Sequence, residues 1–239
     1  MSVFISIVIA CFVVAALYYL FMSSTSQIFG SYPWQKKTNE KIVALTFDDG
    51  PNEPFTSQIA DYLSKKHIKA TFFEVGTCVE KYPDVTKRLY ADGHVIGNHS
   101  VHHRFHDHLL HPRYEKEIAD NQAILQKHIG VTPALFRSPW LFRQPFLLAT
   151  TRAHNLHAIS GKFCHPFEVM QPSAERIAKR TLKKARPGSI IIFHDGFDAR
   201  GGNRAQTVDA VKRTVESLLE KGYRFVTISD LLDIPPYQT

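Results

Sequence analysis

The stretch "KIVALTFDDGP", Lys41–Pro51, is an apolar run that ends in two adjacent aspartates. The run is short and rich in β-branched and aromatic residues, which predicts a buried strand. One aspartate could simply cap a turn or a helix. Two adjacent carboxylates repel each other, so this structural role does not explain the second one. The pair is accounted for if a cation binds one carboxylate and a guanidinium binds the other. Asp48 and Asp49 are therefore candidate site residues at the end of the first predicted strand.

Further β-rich runs follow this strand, and helical patterns separate them. The predicted strands are Lys41–Phe47, Lys69–Val75, His94–Asn98, Ala134–Pro139, Leu156–Ser160, Ser189–Asp195 and Arg224–Ile228. The predicted helices are Thr56–Lys66, Tyr82–Asp92, Tyr114–Ile129, Gln144–His154, Ser173–Ala185 and Gln206–Lys221. Ser173 is the expected N-cap of its helix, and Gly222 is the expected stop of the last one. Seven strands that alternate with helices indicate an α/β fold with a parallel sheet, either open or closed as a barrel.

The N-terminal stretch Val3–Met22, "VFISIVIACFVVAALYYLFM", contains no charged residue. Its twenty residues are long enough to cross a bilayer core of roughly 30 Å as a helix. A cleaved signal peptide is the alternative, but no basic segment precedes the run and no clear A-x-A site follows it. We expect a transmembrane anchor or signal segment at residues 1–22, a polar linker at 23–40 and a folded domain at 41–235.

The chain carries a formal net charge of +7, which is spread along it with small clusters at Lys179–Arg180 and Lys183–Lys184. This charge favours anionic surroundings such as wall polymers or lipid headgroups, although a solvated basic face is the simpler interpretation. Neither a G-x-G-x-x-G run after the first strand nor a P-loop is present, and no nucleic-acid motif accompanies the charge. Nucleotide and nucleic-acid binding therefore have no support in the sequence.

The segment Gly97–His111, "GNHSVHHRFHDHLLH", contains six histidines. His99 and His103 are spaced i, i+4, which on a helical turn places both imidazoles on one face, roughly 6 Å apart. Together with a carboxylate such as Asp49 they form a two-histidine, one-carboxylate set, which suits Zn²⁺, Co²⁺, Ni²⁺ or Fe²⁺. Without such partners, the other histidines are expected to be ordinary polar residues: His102, His106, His108 and His111.

Polar residues also stand at the ends of later predicted strands. His99 ends the third strand, Arg137 the fourth and His194 the sixth. In a (β/α) barrel these ends open onto one face, where active sites are built. Arg137 can hold a carboxylate in its ionised form, and the ordinary pKa of a histidine suits His194 to general acid or base chemistry.

Taken together, the runs "TFDDGP", "HSVHH", "FRSPW" and "GSIIIFHDG" resemble the polysaccharide deacetylase family, the NodB-homology domain of carbohydrate esterase family 4. The resemblance covers about residues 41–232. It implies a distorted, TIM-like (β/α) barrel with about seven parallel strands. It also implies a divalent metal held by Asp49, His99 and His103, with Zn²⁺ favoured and Co²⁺ or Ni²⁺ as alternatives.

The resemblance further implies removal of N-acetyl groups from N-acetylglucosamine units of peptidoglycan or a chitin-like oligosaccharide. Asp48 would be the general base, paired with Arg137, and His194 the general acid that protonates the leaving amine. The backbone N–H of Trp140 would help to stabilise the oxyanion. The expected partners are an acetylated glycan and a membrane, with no protein partner.

Two features depart from the family. The usual Asp-Trp pair, whose aspartate orients the acid histidine and whose tryptophan walls the sugar groove, is missing from "HAISGKFCHPFEVMQP", 157–172. Glu168 or Asp195 are candidates to replace the carboxylate, and Phe163 or Phe167 to replace the wall. The arginine motif also has Ser138 and Leu141 where the family has a second proline and a glycine.

These departures leave two alternatives open. One is a deacylase that acts on another amide or on an O-acetyl ester, and the other is a catalytically impaired, membrane-tethered glycan-binding protein. Read strictly, the positive-inside rule places the domain in the cytoplasm, because Lys36, Lys37 and Lys41 follow the span, but this bias is small and Glu40 partly offsets it. We expect an extracytoplasmic catalytic domain on the membrane anchor, or a secreted one if the segment is cleaved.

Overall fold

The structure, a computed structural model that describes residues 2–239, contains alternating strands and helices. Its strands are β1 (Ile42–Asp48), β2 (Thr71–Glu74), β3 (Val95–Asn98), β4 (Leu135–Phe136), β5 (His157–Ala158), β6 (Lys162–Phe163), β7 (Ser189–His194) and β8 (Arg224–Val226). Its α-helices are α1 (Ser2–Met22), α2 (Phe55–Lys65), α3 (Gly76–Lys81), α4 (Pro83–Ala91), α5 (His111–Ile129), α6 (Leu147–Ala153), α7 (Ala174–Lys184), α8 (Ala205–Glu220) and α9 (Ile228–Leu232).

All strand pairs in the sheet are parallel, in the order β5-β4-β3-β2-β1-β7-β6. The eighth strand, β8, pairs with the start of β1, while β2 pairs with its end. Among the pairs within residues 2–239, none joins β5 to β6, so the curled sheet stays open between them. The predicted distorted (β/α) barrel is confirmed, and all seven predicted strands are present.

The central strand β1 is buried along its whole length, because helices cover its outer face and the barrel interior its inner face. Val43, Leu45 and Phe47 belong to the cluster that packs against the helices. Side chains alternate between the faces of a strand, so Thr46 and Asp48 point the other way, into the barrel. The alternation therefore delivers the carboxylate of Asp48 to the inner face at the carboxyl end of the sheet.

The predicted start signal of α7 and the predicted stop signal of α8 are both confirmed. The Ser173 side chain accepts a hydrogen bond from the N–H of Arg176 at the start of α7. Gly222 follows the end of α8 with a φ of +76°, the left-handed conformation that favours glycine.

Three short elements were missed, namely β6, α3 and α9. Two-residue strands and five- or six-residue helices are too short to show a hydrophobic period. The predicted strand Arg224–Ile228 runs into α9, because Thr227 and Asp230 form a capping box that starts a helix at Ile228.

The helix α1 contains one segment, Phe4–Met22, that is long and apolar enough to cross a membrane, a test that a signal sequence also passes. The chain that follows it contacts the domain before β1 begins. Tyr32 is buried, and Gln35 forms an antiparallel bridge with Ser189, the first residue of β7.

Candidate active site

Three potential metal ligands meet at the carboxyl ends of β1 and β3. Asp49 directly follows β1, His99 directly follows β3, and His103 lies in the loop beyond it. The Asp49 Oδ1 atom is 3.3 Å from His99 Nε2 and 3.1 Å from His103 Nε2. All three residues are buried, so water does not screen the charge of the carboxylate. The structure thus brings together the ligand set that the sequence predicts.

The outer ring nitrogens of both histidines have acceptors. His99 Nδ1 lies 2.7 Å from the carbonyl oxygen of Arg137, which can only accept, so this nitrogen carries the proton. His103 Nδ1 lies 3.1 Å from Asp198 Oδ1. Each Nε2 is then free to present its lone pair towards Asp49. Two lone pairs and a carboxylate that face one another repel unless a cation lies between them, so these residues fit a divalent metal.

Where no cation is bound, a proton on His103 Nε2 can supply the positive charge in its place, and the pKa values of the group describe this protonated form. Burial lowers the pKa of His103, but the charges of Asp49 and Asp198 and their hydrogen bonds outweigh burial and raise the pKa to about 10. Burial raises the pKa of Asp49, but the charge of His103 and hydrogen bonds from His103 and His99 bring it well below its ordinary value. The site therefore holds Asp49 as a carboxylate.

The expected helical turn from His99 to His103 is wrong, because this segment is a loop. Side chains compete here for the hydrogen bonds of a helix. The N–H of Ser100 donates to Asn98 Oδ1, and the N–H of His103 donates to Ser100 Oγ. The rings of His99 and His103 still come within 5.0 Å, measured between centroids.

A buried glutamate on α5 holds the same loop from outside. Glu117 Oε2 accepts hydrogen bonds from the N–H groups of Val101 and His102, and Glu117 Oε1 contacts His102 Nδ1. His102, Asp107 and Glu117 form a second group of potential metal ligands. Because both Glu117 oxygens are already used, we assign this group to loop structure.

Asp48, the other aspartate of the adjacent pair, contacts a guanidinium, as the sequence predicts. Arg137 NH1 donates to Asp48 Oδ1 at 2.6 Å and to Thr46 Oγ1 at 2.7 Å. Arg137 is fully buried and lies over the ring of Phe73, 4.1 Å from its centroid. Its NH2 group also donates to the carbonyl oxygen of Ser160. Arg137 therefore pairs with the Asp48 carboxylate from behind and does not itself line the cavity.

The acid candidate His194 ends β7 and contacts a carboxylate through one nitrogen. His194 Nδ1 lies 2.6 Å from Glu168 Oε2, and the ring stacks on Phe163 at 5.8 Å between centroids. The other candidate carboxylate, Asp195, instead accepts a hydrogen bond from Thr56 Oγ1. Of the two residues considered for the missing family aspartate, Glu168 therefore occupies the orienting position.

The contact with Glu168 changes the proton affinity of His194. Burial lowers the pKa of His194, but the charge and hydrogen bond of Glu168 outweigh burial and raise the pKa to about 9. Thr207 Oγ1 donates to the second oxygen of Glu168 and fixes the carboxylate. His194 is thus protonated at neutral pH, as a general acid must be.

Trp140 lies across the loop that carries the metal ligands. Its ring is 4.4 Å from the ring of His103 between centroids. His108 is buried and packs edge-on against Trp140 from behind, so it acts in packing rather than as a ligand. Asp49, His103 and Trp140 all have a positive φ, of 75°, 53° and 54°. Strained backbone of this kind in residues with side chains is typical of functional sites.

These groups line one cavity of about 330 Å³. Its walls include Asp48, Asp49, His99, His103, Trp140, His194, Phe163 and Glu168. Arg137 lies behind Asp48, and Phe167, the other candidate wall, is exposed. Sequence reasoning missed Asp198, which supports both His103 and Asp49 and also lines the cavity. The only signal for it is its place four residues after His194 in "HDGFD".

Comparison with known sequences gives a consistent result. The polysaccharide deacetylase family matches residues 35–159. A peptidoglycan-N-acetylglucosamine deacetylase of Bacillus cereus is 34% identical over 204 residues, which cover 85% of this chain and 93% of that protein. A chitooligosaccharide deacetylase of Azorhizobium caulinodans is 31% identical, over 77% of this chain and 91% of the relative.

Solved structures agree. A crystal structure of a peptidoglycan N-acetylglucosamine deacetylase superposes with a TM-score of 0.80 and 31% identity, and the match covers 87% of this chain and 95% of that one. A family 4 acetyl xylan esterase from Clostridium thermocellum in complex with a cobalt ion has a TM-score of 0.70 and 32% identity, over 82% and 94% of the two chains. The resemblance stated from the sequence motifs is confirmed.

Proposed function

The chain belongs to the polysaccharide deacetylase family, and from this premise we propose that it is a metal-dependent hydrolase of acetylated glycans. The proposed reaction removes the N-acetyl group from N-acetylglucosamine units of peptidoglycan or of a chitin-like oligosaccharide. The relatives whose names specify these two substrates support it. One observation carries the proposal: two histidine lone pairs and a carboxylate converge beside Asp48, with a protonated histidine across the same cavity.

We propose that Asp49, His99 and His103 hold the metal, with Zn²⁺ favoured and Co²⁺ or Ni²⁺ as alternatives. When bound, the cation would polarise the acetamide carbonyl and increase the acidity of the attacking water. The cobalt ion of the related acetyl xylan esterase supports a divalent ion in this family. The Asp198 carboxylate would keep the proton on His103 Nδ1, so that Nε2 remains a ligand.

Asp48 is the proposed general base. Its carboxylate lines the cavity and is oriented by the hydrogen bond from Arg137, so it can accept a proton from water. The water oxygen bonds to the carbonyl carbon of the acetamide, and the oxyanion that forms needs a hydrogen-bond donor. We assign that role to the backbone N–H of Trp140, whose residue lies at the cavity wall in a left-handed conformation.

His194 is the proposed general acid. Glu168 holds the proton on Nδ1, which directs the second proton, on Nε2, towards the leaving group. When the C–N bond breaks, His194 transfers that proton to the amine, and acetate and a glucosamine unit leave. Phe163, stacked on His194, would take the place of the family's tryptophan as a wall for the sugar.

An O-acetyl ester is the second candidate substrate, since the related esterase from Clostridium thermocellum is named for one. An alcohol leaving group depends less on a protonated acid than an amine does. The protonated His194 therefore favours the amide. The same contact between Glu168 and His194 argues against an impaired glycan-binding protein, because the orienting carboxylate has been replaced rather than lost.

We further propose that α1 anchors the protein in a membrane, with the catalytic domain, residues 41–235, on the extracytoplasmic side. The length and composition of Phe4–Met22 support the anchor. Relatives named for peptidoglycan substrates support the extracytoplasmic side.

The test is acetate release by the full-length protein in detergent from chitooligosaccharides, peptidoglycan and acetylated xylan. We expect release from the N-acetylated substrates that stops with a chelator and returns with Zn²⁺ or Co²⁺. Release that persists after the metal has been removed would refute the metal-dependent reaction. Release from acetylated xylan alone would assign the O-acetyl substrate instead.

A further inference from the structure

The end of the apolar helix α1 forms part of the mouth of the active-site cavity. Tyr18 and Met22 line the cavity together with the metal and acid residues. The backbone ties this end to the domain, because the N–H of Arg143 donates to the carbonyl oxygen of Phe21 at 2.8 Å. At 1.5 Å per residue, Tyr18 and Met22 lie within about 6 Å of each other along the helix axis. If α1 crosses a bilayer, the cavity therefore opens at the bilayer surface.

A basic groove of about 650 Å³ continues from the cavity and shares Tyr18, Phe163 and Pro166 with it. Its five cationic side chains are Lys162, Arg180, Lys183, Lys184 and Arg186. Among the ion pairs within the described part of the chain, none joins any of these five to a carboxylate. Lys162 Nζ donates to Gln35 Oε1 and Lys184 Nζ donates to the carbonyl oxygen of Phe163, but these neutral acceptors carry no balancing charge. Like charges this close together repel, and an anionic ligand would relieve the repulsion.

Proton affinities in the groove agree with this geometry. The pKa of Lys162 is lowered by burial and then by the charges of Arg186 and Lys184. The pKa of Lys184 is lowered by burial and by the charge of Arg180. Lys162 and Lys184 are thus half-buried beside other cations, whereas Arg180, Lys183 and Arg186 are exposed at the rim of the groove.

Exposed apolar side chains border the same face. Phe105, Phe167 and Met170 are large, exposed hydrophobic side chains next to residues that line the cavity. Phe105 packs on Trp140 at the cavity wall, with 5.4 Å between ring centroids. Phe167 and Met170 flank Glu168 and Val169, which line the cavity. Apolar residues beside a cationic groove and a membrane helix are typical of a surface that lies in the bilayer interface.

We propose that the substrate is a lipid-linked N-acetylated glycan, whose sugar enters the cavity from the bilayer surface while its phosphate or diphosphate binds the basic groove. This inference rests on the proposed function and names its substrate class. Lysine and arginine bind phosphate oxygens through charge-assisted hydrogen bonds. Because the groove and the cavity share Tyr18, Phe163 and Pro166, the groove lies within reach of the phosphate of a substrate whose sugar occupies the cavity. This proximity favours the phosphate of the substrate over the headgroup of a neighbouring phospholipid.

The experiment compares three substrates that carry the same N-acetylglucosamine disaccharide. One is linked to a polyprenyl diphosphate, one to an uncharged lipid of the same chain length, and one is free in solution. Full-length protein and lipid substrates are placed in phosphatidylcholine nanodiscs, and kcat/KM for acetate release is measured. We expect the diphosphate-linked substrate to exceed the uncharged one by at least about tenfold, which corresponds to one or two phosphate contacts.

Variants locate the effect. In Arg180→Ala/Lys183→Ala the ratio between the two lipid substrates should fall to near one, mainly through KM. Lys179→Ala removes a charge from the same helix outside the groove and should keep the ratio. Equal rates on both lipid substrates, or a ratio that survives the double substitution, would overturn the inference. Phosphatidylglycerol added to the nanodiscs should not raise turnover of the uncharged substrate to the level of the diphosphate-linked one. If it did, the groove would bind bulk headgroups and the inference would also be overturned.

A binding measurement separates this inference from the proposed function. A short-chain isoprenyl diphosphate of N-acetylglucosamine is titrated into the solubilised full-length protein by calorimetry. Binding that is lost in the double variant supports the groove even if no substrate releases acetate, an outcome that refutes only the hydrolysis. Absence of binding, with acetate released from the free disaccharide, refutes the groove and leaves the proposed function intact.

Discussion

The proposed metal side of the site, with His99 and His103, and its proposed acid side, with His194, differ in how their histidines are supported. His99 is held by a backbone carbonyl at the end of the neighbouring strand, and His103 by Asp198. His194 is held by Glu168, from the segment that departs most from the family pattern. The orienting carboxylate has thus moved to another position while still reaching Nδ1 of the acid. On both sides the support contacts Nδ1 of the histidine, but only the metal side uses a backbone carbonyl, which no side-chain substitution removes.

The largest expected effect is on the metal side. Asp49→Ala removes the single carboxylate among the three ligands and should lower metal affinity more than the roughly 10–100-fold typical of supporting residues. Acetate release should fall to background. Metal content by mass spectrometry and acetate release are the measurements, and Asp84→Ala, on the exposed side of α4, is the control. One full equivalent of bound metal in Asp49→Ala would show that the ligands are assigned wrongly.

Next in size is the acid. His194→Gln should lower kcat by roughly 10²–10⁴-fold, because the amine would leave without a proton donor, while bound metal stays at wild-type level. Steady-state kinetics and metal content separate the two sides of the site. The exposed His106→Gln is the matched control. A kcat within a few-fold of wild type would remove His194 from the mechanism.

Substitution of Asp198, which supports His103 on the metal side, should have a smaller effect. Asp198→Asn weakens the hold on His103 Nδ1, and we expect metal affinity to fall by roughly 10–100-fold, with activity restored by excess metal. Competition with a fluorescent chelator gives the affinity. An unchanged affinity would mean that the loop alone positions His103.

The supporting residue on the acid side should mainly move the pH profile. His194 acts while protonated, so activity should persist until the pH rises towards about 9 and decline above it. Glu168→Gln removes the charge that raises this pKa, so the decline should begin at lower pH, nearer the ordinary value of roughly 6.5. Profiles of kcat at equal metal loading test this against the exposed Glu175→Gln. Coincident alkaline limbs would exclude Glu168 as the positioning residue.

The sequence predicts most of what regular periodicity controls. Alternation along β1 places Asp48 inside the barrel, and the order of strand-end residues brings Asp49, His99 and His194 to one face. Prediction from the sequence fails where side chains replace the backbone hydrogen bonds of a helix. Between His99 and His103, Ser100 and Glu117 accept these hydrogen bonds and hold a loop instead of a helical turn. Contacts between distant segments have no local pattern either.

The acid side shows the same limit in another form. Two carboxylates were compatible with the sequence, and only the three-dimensional arrangement separates Glu168 from Asp195. Both are buried, but Glu168 contacts His194 Nδ1, whereas the Asp195 carboxylate accepts a hydrogen bond from Thr56 and lies against Gly50. Asp198 was missed because a lone aspartate in a loop after a strand is an ordinary turn residue by sequence.

The left-handed backbone at Asp49, His103 and Trp140 has an evolutionary consequence. Such a conformation costs roughly 1–3 kcal/mol for a residue with a side chain, more than the 0.5–1 kcal/mol of chain entropy that glycine typically adds. Glycine at Asp49 or His103 would therefore relieve strain while removing a proposed ligand, whereas glycine at Trp140 would also lose the ring contacts with Phe105 and His108. A library of variants selected only for heat resistance should therefore accumulate glycine at Asp49 and His103 and lose activity. Retention of the original residues in a population would reflect selection for turnover.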